Sequence, residues 1–209
     1  MSQNGMREER RGLREQKRLE TRRRIAEAAV RLVSEQGIPA TTVDQIAAEA
    51  GVGRATFFRY FESKELAIAT GLSEVAVYVF TATLEQMPSD LGPLAAVLAA
   101  HEALSVDFDT HRQMYLEQAQ LSRSSPAMFA WTLLLYVEWE TAIAEAIAPR
   151  FTDLVPGDPR PRMLGAMTMA ASRLACDEWV ECDGRSDLPE LVQVHFRAMQ
   201  HETPALAST

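Results

Sequence analysis

Apolar residues recur along this chain at helical spacing, and nowhere with the sustained alternation of a strand. Ile25, Ala28, Ala29, Leu32 and Val33 fall at i, i+3, i+4, i+7 and i+8, which sets one apolar stripe on one helix face. Gly37, with Pro39 just beyond, marks the end of that helix. Thr42-Val43-Asp44-Gln45 has the form of a capping box, in which the Thr and Gln side chains each satisfy a free backbone N–H. It opens a short helix with Val43, Ile46, Ala47 and Ala50 on its inner face. Gly51-Val52-Gly53 forces a turn. A second short helix runs from Arg54 to Phe61, and Ser63 can cap a longer one beginning Lys64-Glu65-Leu66.

Prolines divide the remainder. Pro88 and Pro93 bracket a loop, and helices are expected over about 94–106 and 110–123. Ser125-Pro126 is an N-cap with proline at the first helical position, starting a long helix that ends near Pro149. Thr152 to Pro161 reads as a loop, and a second long helix continues to about Asp183. Asp187-Leu188-Pro189-Glu190 caps a last helix to about Gln200, with a frayed tail after Pro204. The expected fold is all-α, about nine helices in all: an N-terminal three-helix helix-turn-helix domain and a C-terminal antiparallel helical bundle. The expected boundaries are an arm at 1–17, a helix-turn-helix domain at 18–70, a second domain at 71–202 and a tail at 203–209.

Charge changes this picture, because the formal net charge of -8 is unevenly distributed. Residues 1–65 hold 13 Lys and Arg against 10 Asp and Glu, and the remainder holds 8 against 19. A phosphate-binding footprint is local, so the basic first part is compatible with nucleic acid despite the acidic whole. The Arg-rich stretch Arg7 to Arg24 has two readings: a solvated tail or extension of the first helix, or an arm that enters the minor groove. No apolar h-region opens the chain, so no secretory signal is expected, and Cys176 and Cys182 suit a reducing compartment. No membrane span is expected, the longest apolar patch being Trp131 to Val137.

The helices between Ile25 and Phe61 have the layout of a helix-turn-helix, two short helices across a glycine turn with a third supporting them. Val43, Ile46, Ala47, Val52, Phe57 and Phe61 would lock the pair against the first helix. Arg54, Ala55, Thr56, Phe58, Arg59 and Tyr60 are left facing outward. The run TTVDQIAAEAGVGRATFFRYFESKELAIA resembles the DNA-binding signature of TetR-family transcriptional regulators, and the likeness covers residues 18–70. It implies that Thr42, Tyr60 and Lys64 hold phosphates, and that Arg54, Ala55, Thr56 and Arg59 lie where the family reads base edges, with Phe58 on the same face. Arg59 suits bidentate contact with guanine, and Gln45 could reach the DNA backbone or an adenine. The family often has Tyr or Trp where Phe58 and Arg59 stand, which bears on the operator sequence rather than the binding mode.

The second domain is rich in Met, Leu, Ala and aromatic residues. Tyr115, Trp131, Leu135, Tyr136, Trp139, Met167 and Trp179 are candidate walls of a pocket for a mostly apolar small-molecule effector, with Phe129 and Met163 also expected inside. Simple core packing is the alternative for any one of them. Arg112, Arg123, Arg173, His101 and His111 could meet an anionic end of the ligand. The segment from Ser125-Pro126 through WETAIAEAIAPR, DPRPRML and LACDEW is similar to the mycofactocin-regulator-like subgroup of TetR regulators, which implies an acyl-type ligand. The last two helices carry Ala170, Ala171, Leu174, Ala175, Leu191, Val192 and Phe196. By the family resemblance they would pair two copies into a homodimer that places two recognition helices ~34–36 Å apart on palindromic double-stranded operator DNA.

Enzyme chemistry finds no support in the spacing. His101 and His111 lie ten residues apart and His195 and His201 six, which is not the spacing of a metal-binding helix face. Glu138 and Glu140 point apart on a helix, and no nucleophile elbow or phosphate-cradling loop occurs. No cofactor is expected. The resemblance implies a repressor of the bacterial cytoplasm, nucleoid-associated when bound to its operator. A helical protein keeping the motif only as a relic would have no reason to hold Arg54, Arg59, Tyr60 and Lys64 on one face.

Overall fold

Helix α1 (Gln3–Ala40) buries the stripe read from the sequence, with Ile25, Ala28, Ala29 and Val33 inside and Leu32 at the margin. The computed structural model describes residues 3–106 and 108–202, and the side chains of residues 12–106 and 108–198. The tail expected after Pro204 lies outside them. The Arg-rich stretch continues α1 as helix from Gln3. At Gly37, φ of 78° and ψ of 166° interrupt the helix, and a further turn carries Pro39 to Ala40. These positive dihedrals are open to glycine at no steric cost.

Helices α2 (Val43–Glu49) and α3 (Arg54–Tyr60) follow, each seven residues long. The capping box is formed: Gln45 N–H donates to Thr42 Oγ1 at 3.3 Å, and Thr42 N–H donates to Gln45 Oε1 at 2.9 Å. Gly51, at φ 64°, makes the turn. Ser63 Oγ then accepts from Leu66 N–H at 3.1 Å to start α4 (Lys64–Gln86). The chain divides into two compact units between Glu74 and Val75, and α4 is continuous through that point. In the first unit its Ala67, Ile68 and Leu72 are buried. Gly71 lies so close to α1 that a Cβ there would stand 2.5 Å from the Ala26 carbonyl oxygen.

The second unit adds α5 (Pro93–Ser105), α6 (Phe108–Ser122), α7 (Pro126–Ile147) with a 3-10 turn at Ala148–Arg150, α8 (Arg160–Glu181) and α9 (Leu188–Glu202). Among the described residues there are nine α-helices and no strand. Ser125 Oγ accepts from Met128 N–H at 3.2 Å, and Asp187 Oδ1 from Glu190 N–H at 2.9 Å, so both expected caps operate. The main core joins Phe80, Leu84, Val97, Ile143, Leu164 and Phe196, and a smaller cluster gathers around Trp179. Arg150 donates to the carbonyls of Leu84, Met87 and Pro88, each at 2.8 Å. A guanidinium there satisfies the open carbonyls at the end of α4 and complements its dipole.

Three expectations change. Helix α4, at 23 residues and a mean hydropathy of 1.5, is long and apolar enough to cross a membrane by composition. Ile68 and Leu72 are instead core in one unit and Phe80 and Leu84 in the other, while Val75, Tyr78 and Val79 between them are exposed. The longest apolar patch is therefore not Trp131 to Val137, because the small residues of α4 hid its continuity. Phe129 and Met163, expected inside, are exposed on α7 and α8.

His101 is wedged between Phe80, at 4.5 Å between ring centroids, and Phe196, at 5.1 Å. Burial lowers its pKa from 6.5 to about 4, partly offset by the Nδ1 contact with the Val97 carbonyl. The folded state therefore accepts the neutral ring, while the unfolded chain protonates first as pH falls. The contribution is complete above pH 6.5 and is lost as pH falls from 6.5 towards 4. It amounts to at most ~3 kcal/mol. Urea denaturation of a His101→Leu variant should show a flatter loss of stability between those pH values than the parent; an equal slope would exclude His101 as the source. Gly71→Ala should lower stability by ~1–3 kcal/mol, because the new methyl meets a helix backbone rather than a yielding side chain. An unchanged denaturation midpoint would show that α4 can shift away from α1 freely.

Candidate nucleic-acid interface

The recognition helix α3 is two-sided. Phe57 is fully buried and packs at 6.0 Å from Phe61, itself buried at the C-terminal end. Ile46 and Ala47 of α2 are also buried, with Val43 and Val52 half-buried. The opposite side exposes Arg54, Ala55, Phe58 and Arg59, with Thr56 and Tyr60 half-buried. Phe58 stands edge-on to Phe57 at 5.4 Å, the Arg54 guanidinium lies 5.2 Å from the Phe58 ring, and Arg59 lies 5.3 Å from the Tyr60 ring. Arg54 Nη1 also donates to Asp44 Oδ1 at 2.6 Å.

At the start of α2 the polar groups are already engaged. Thr42 Oγ1 donates to Gln45 Oε1 at 2.8 Å, and Gln36 Nε2 donates to the same oxygen at 3.2 Å. The Gln45 amide thus forms part of the helix cap. Lys64, expected at a phosphate, directs its Nζ at the Thr41 carbonyl, 2.7 Å away, and at the Ile38 carbonyl, 3.2 Å away. It thus bonds carbonyls at the end of α1 and in the link to α2. Thr41 is fully buried, its Oγ1 donating to the Gly37 carbonyl at 2.9 Å. Sequence reasoning missed Gln36, Thr41 and Asp44. Only Asp44 left a local signal, as an acidic residue in the first turn of a helix.

The seven candidate effector residues do not gather in one place. Trp179 is fully buried against Phe108 at 5.6 Å, and its Nε1 donates to the Ser186 carbonyl at 3.0 Å. Tyr115 stacks on Phe108, 5.7 Å away. Trp179 belongs to the smaller core cluster with Phe108, whereas Tyr115 is exposed. Tyr136 and Trp139 pack against the main core, while Trp131, Leu135 and Met167 are half-buried on α7 and α8. Burial pushes the Tyr136 phenol up to about 12, with Cys176, Arg123, Asp177 and Arg173 in its field. Arg123 and Arg173 both pair with Asp177, and Arg112 donates to the Gly184 and Ser186 carbonyls at 3.0 and 2.9 Å. These arginines therefore hold the fold together where the sequence allowed them a ligand.

Comparison with known proteins bears on both units. The family model for bacterial regulatory proteins of the tetR family matches residues 25–66, and the model for the MftR C-terminal domain matches residues 91–204. The HTH-type transcriptional regulator TcmR of Streptomyces glaucescens is 34% identical over 178 residues, covering 80% of this chain and 76% of that protein. This chain belongs to the TetR family.

A second TetR-family relative, MftR of Mycobacterium tuberculosis, carries the name of a mycofactocin biosynthesis regulator. It is 27% identical over 168 residues, 78% of this chain and 84% of that protein. The TetR-family repressor FadR of Thermus thermophilus, solved with lauroyl-CoA, has the same fold at a TM-score of 0.63. It shares 21% identity over 90% of this chain and 96% of that one. TetR-family proteins are DNA-binding transcriptional regulators and not enzymes, which agrees with a chain whose histidine and carboxylate spacings suit no catalytic role.

Loss of the Lys64 contacts leaves two carbonyls without their charged donor. Lys64→Met should lower stability by ~1–3 kcal/mol and leave the salt dependence of DNA binding unchanged. A salt slope reduced by ~1 with intact stability would return Lys64 to a phosphate contact.

Proposed function

We propose that this TetR-family regulator is a ligand-responsive repressor that binds a palindromic operator as a homodimer and is released by an apolar or acyl-type small molecule. Residues 18–70 act as the DNA-binding domain, and residues 71–202 bind the effector and dimerise. The observation that carries the reading is the outward face of α3, where two arginines stand on a helix whose other side is anchored by Phe57 and Phe61. Arg59 is the residue best suited to a guanine edge, while Arg54, Ala55, Thr56 and Phe58 complete the base-facing surface. Thr42 and Tyr60 flank it at the backbone, and Lys64 and Gln45 hold the support in place.

Dimerisation is assigned to α8 and α9. Met163, Ala170 and Leu174 on α8 and Val194 on α9 are exposed and spaced to share a helix face, as an interface between copies needs. Ala171, Ala175, Val192 and Phe196 are buried within the chain and serve its own core. The acyl-type effector rests on the match of residues 91–204 to the MftR C-terminal domain and on FadR, which was solved with lauroyl-CoA. Of the candidate residues, Trp131, Leu135, Tyr136, Trp139 and Met167 remain the pocket assignment. An effector that favours one spacing of the recognition helices shifts the dimer away from its operator. The regulator acts in the bacterial cytoplasm, on the nucleoid when bound.

Selection from a genomic fragment library in ~0.15 M salt should enrich a palindrome, and Arg59→Ala should lose it; a discrimination of ~1–3 kcal/mol per bidentate contact sets the size. Leu174→Glu should give monomers by light scattering and abolish that binding. Lauroyl-CoA should release the operator from the parent dimer. No enriched sequence at any salt would remove the repressor reading, and retention of operator with lauroyl-CoA and with uncharged apolar ligands alike would remove the acyl-type effector.

A further inference from the structure

We propose that Asp44 sets the selectivity of the recognition helix, by holding the Arg54 guanidinium in one orientation and cancelling its charge towards DNA phosphates. The inference rests on the reading that the exposed face of α3 meets DNA. Both side chains are open to solvent, Arg54 at 60% and Asp44 at 73%. An exposed pair of this kind contributes little to stability, and a free arginine in such a place samples many rotamers. Arg54 is nevertheless held from two directions. Asp44 Oδ1 accepts its Nη1 at 2.6 Å, and the Phe58 ring lies 5.2 Å from its Cζ. Phe58 is in turn set edge-on against the fully buried Phe57, at 5.4 Å and 87°. The chain of contacts runs from the core of the first unit to an exposed guanidinium.

The backbone makes this pairing possible. Asp44 lies in the first turn of α2 and Arg54 opens α3, and the turn between them brings the two helix starts together. That turn is closed by Val52 N–H on the Ala47 carbonyl at 2.9 Å and by Gly51 at φ 64°. Arg59, on the same face, forms no ion pair among the described residues. The helix thus offers one uncompensated arginine and one neutralised, oriented arginine.

The consequence follows from what each can bind. Non-specific affinity comes from cations that displace counterions from phosphates, irrespective of sequence. A carboxylate beside Arg54 removes its net charge and repels a phosphate brought close to it. The edge of a guanine is uncharged, and the unused N–H groups of Arg54 keep their direction towards it. Asp44 therefore penalises the backbone contact more than the base contact, which raises discrimination without adding affinity.

The test compares the full-length parent with Asp44→Asn, Arg54→Ala and the double variant, using the selected palindrome and a random duplex of equal length as probes. Affinity is read by fluorescence anisotropy between ~50 and ~200 mM salt. Asp44→Asn should bind the random duplex about tenfold tighter near ~0.1 M salt, steepen its salt slope by about one, and lower the palindrome-to-random ratio. Placed on Arg54→Ala, the same change should have no such effect, because there is no guanidinium left to release. An unchanged ratio and slope in Asp44→Asn would overturn the proposal. So would an effect that persists undiminished without Arg54, which marks a general charge effect. Thermal midpoints check folding, and Asp44→Ser, another good first-turn residue, replaces the Asn variant if that one does not fold. If neither Arg54→Ala nor Arg59→Ala alters binding to any duplex, the DNA-facing reading of α3 itself falls; if they do and Asp44→Asn changes nothing, only the role of Asp44 falls.

Discussion

A helix of seven residues has too few internal hydrogen bonds to persist in water, yet α3 must present its outer side chains in fixed directions. What holds it is the burial of Phe57 and Phe61, which pack on each other, with the Arg22 guanidinium of α1 5.1 Å from the Phe61 ring. Each aromatic removes a large apolar area from water, and together they fix both the rotation of α3 about its axis and its position. The outward directions of Arg54, Phe58 and Arg59 are consequences of that inward anchor. The neighbouring α2 is equally short and depends on its capping box, so the surface proposed to meet DNA is rigid only because its underside is packed and its ends are satisfied.

The same economy of polar groups recurs wherever a helix stops. Gly37 interrupts α1, and Lys64 and Thr41 bond carbonyls at its end and in the link to α2. Arg150 does this at the end of α4, and Arg112 at the carbonyls before α9. In each case a long cation reaches acceptors from a distant part of the sequence. Such residues look like surface charges or ligand contacts in a linear reading, and their structural work is visible only in three dimensions.

In the second unit the aromatic residues sort by neighbour rather than by type. Trp179 closes a cluster with Phe108 and Tyr115, while Tyr136 and Trp139 lie on the main core. Phe129 and Met163 remain on the surface with Leu174 and Val194. The exposed apolar residues of α8 are the face proposed to pair with a second copy. The proposed division of labour gives the first unit the DNA face and the second unit response and pairing.

Periodicity and the placement of prolines determined the helices, because burying one face imposes a 3.6-residue repeat and proline breaks it. Caps are local too: Thr42 with Gln45, Ser63, Ser125 and Asp187 act within three residues of themselves, and all were legible. The motif from Thr42 to Lys64 was likewise readable as a helix-turn-helix, since its apolar and outward positions follow from two short helices and a glycine turn; that it binds DNA was what its resemblance to TetR-family regulators implied. Contacts between residues distant in sequence were decided by the tertiary structure. It set Lys64 on the Ile38 and Thr41 carbonyls, Asp44 on Arg54, Trp179 in a core and Ile68, Leu72, Phe80 and Leu84 of α4 in buried positions. A side chain's hydrophobicity is a property of the residue, whereas its partner is a property of the fold, and these four assignments turned on the partner.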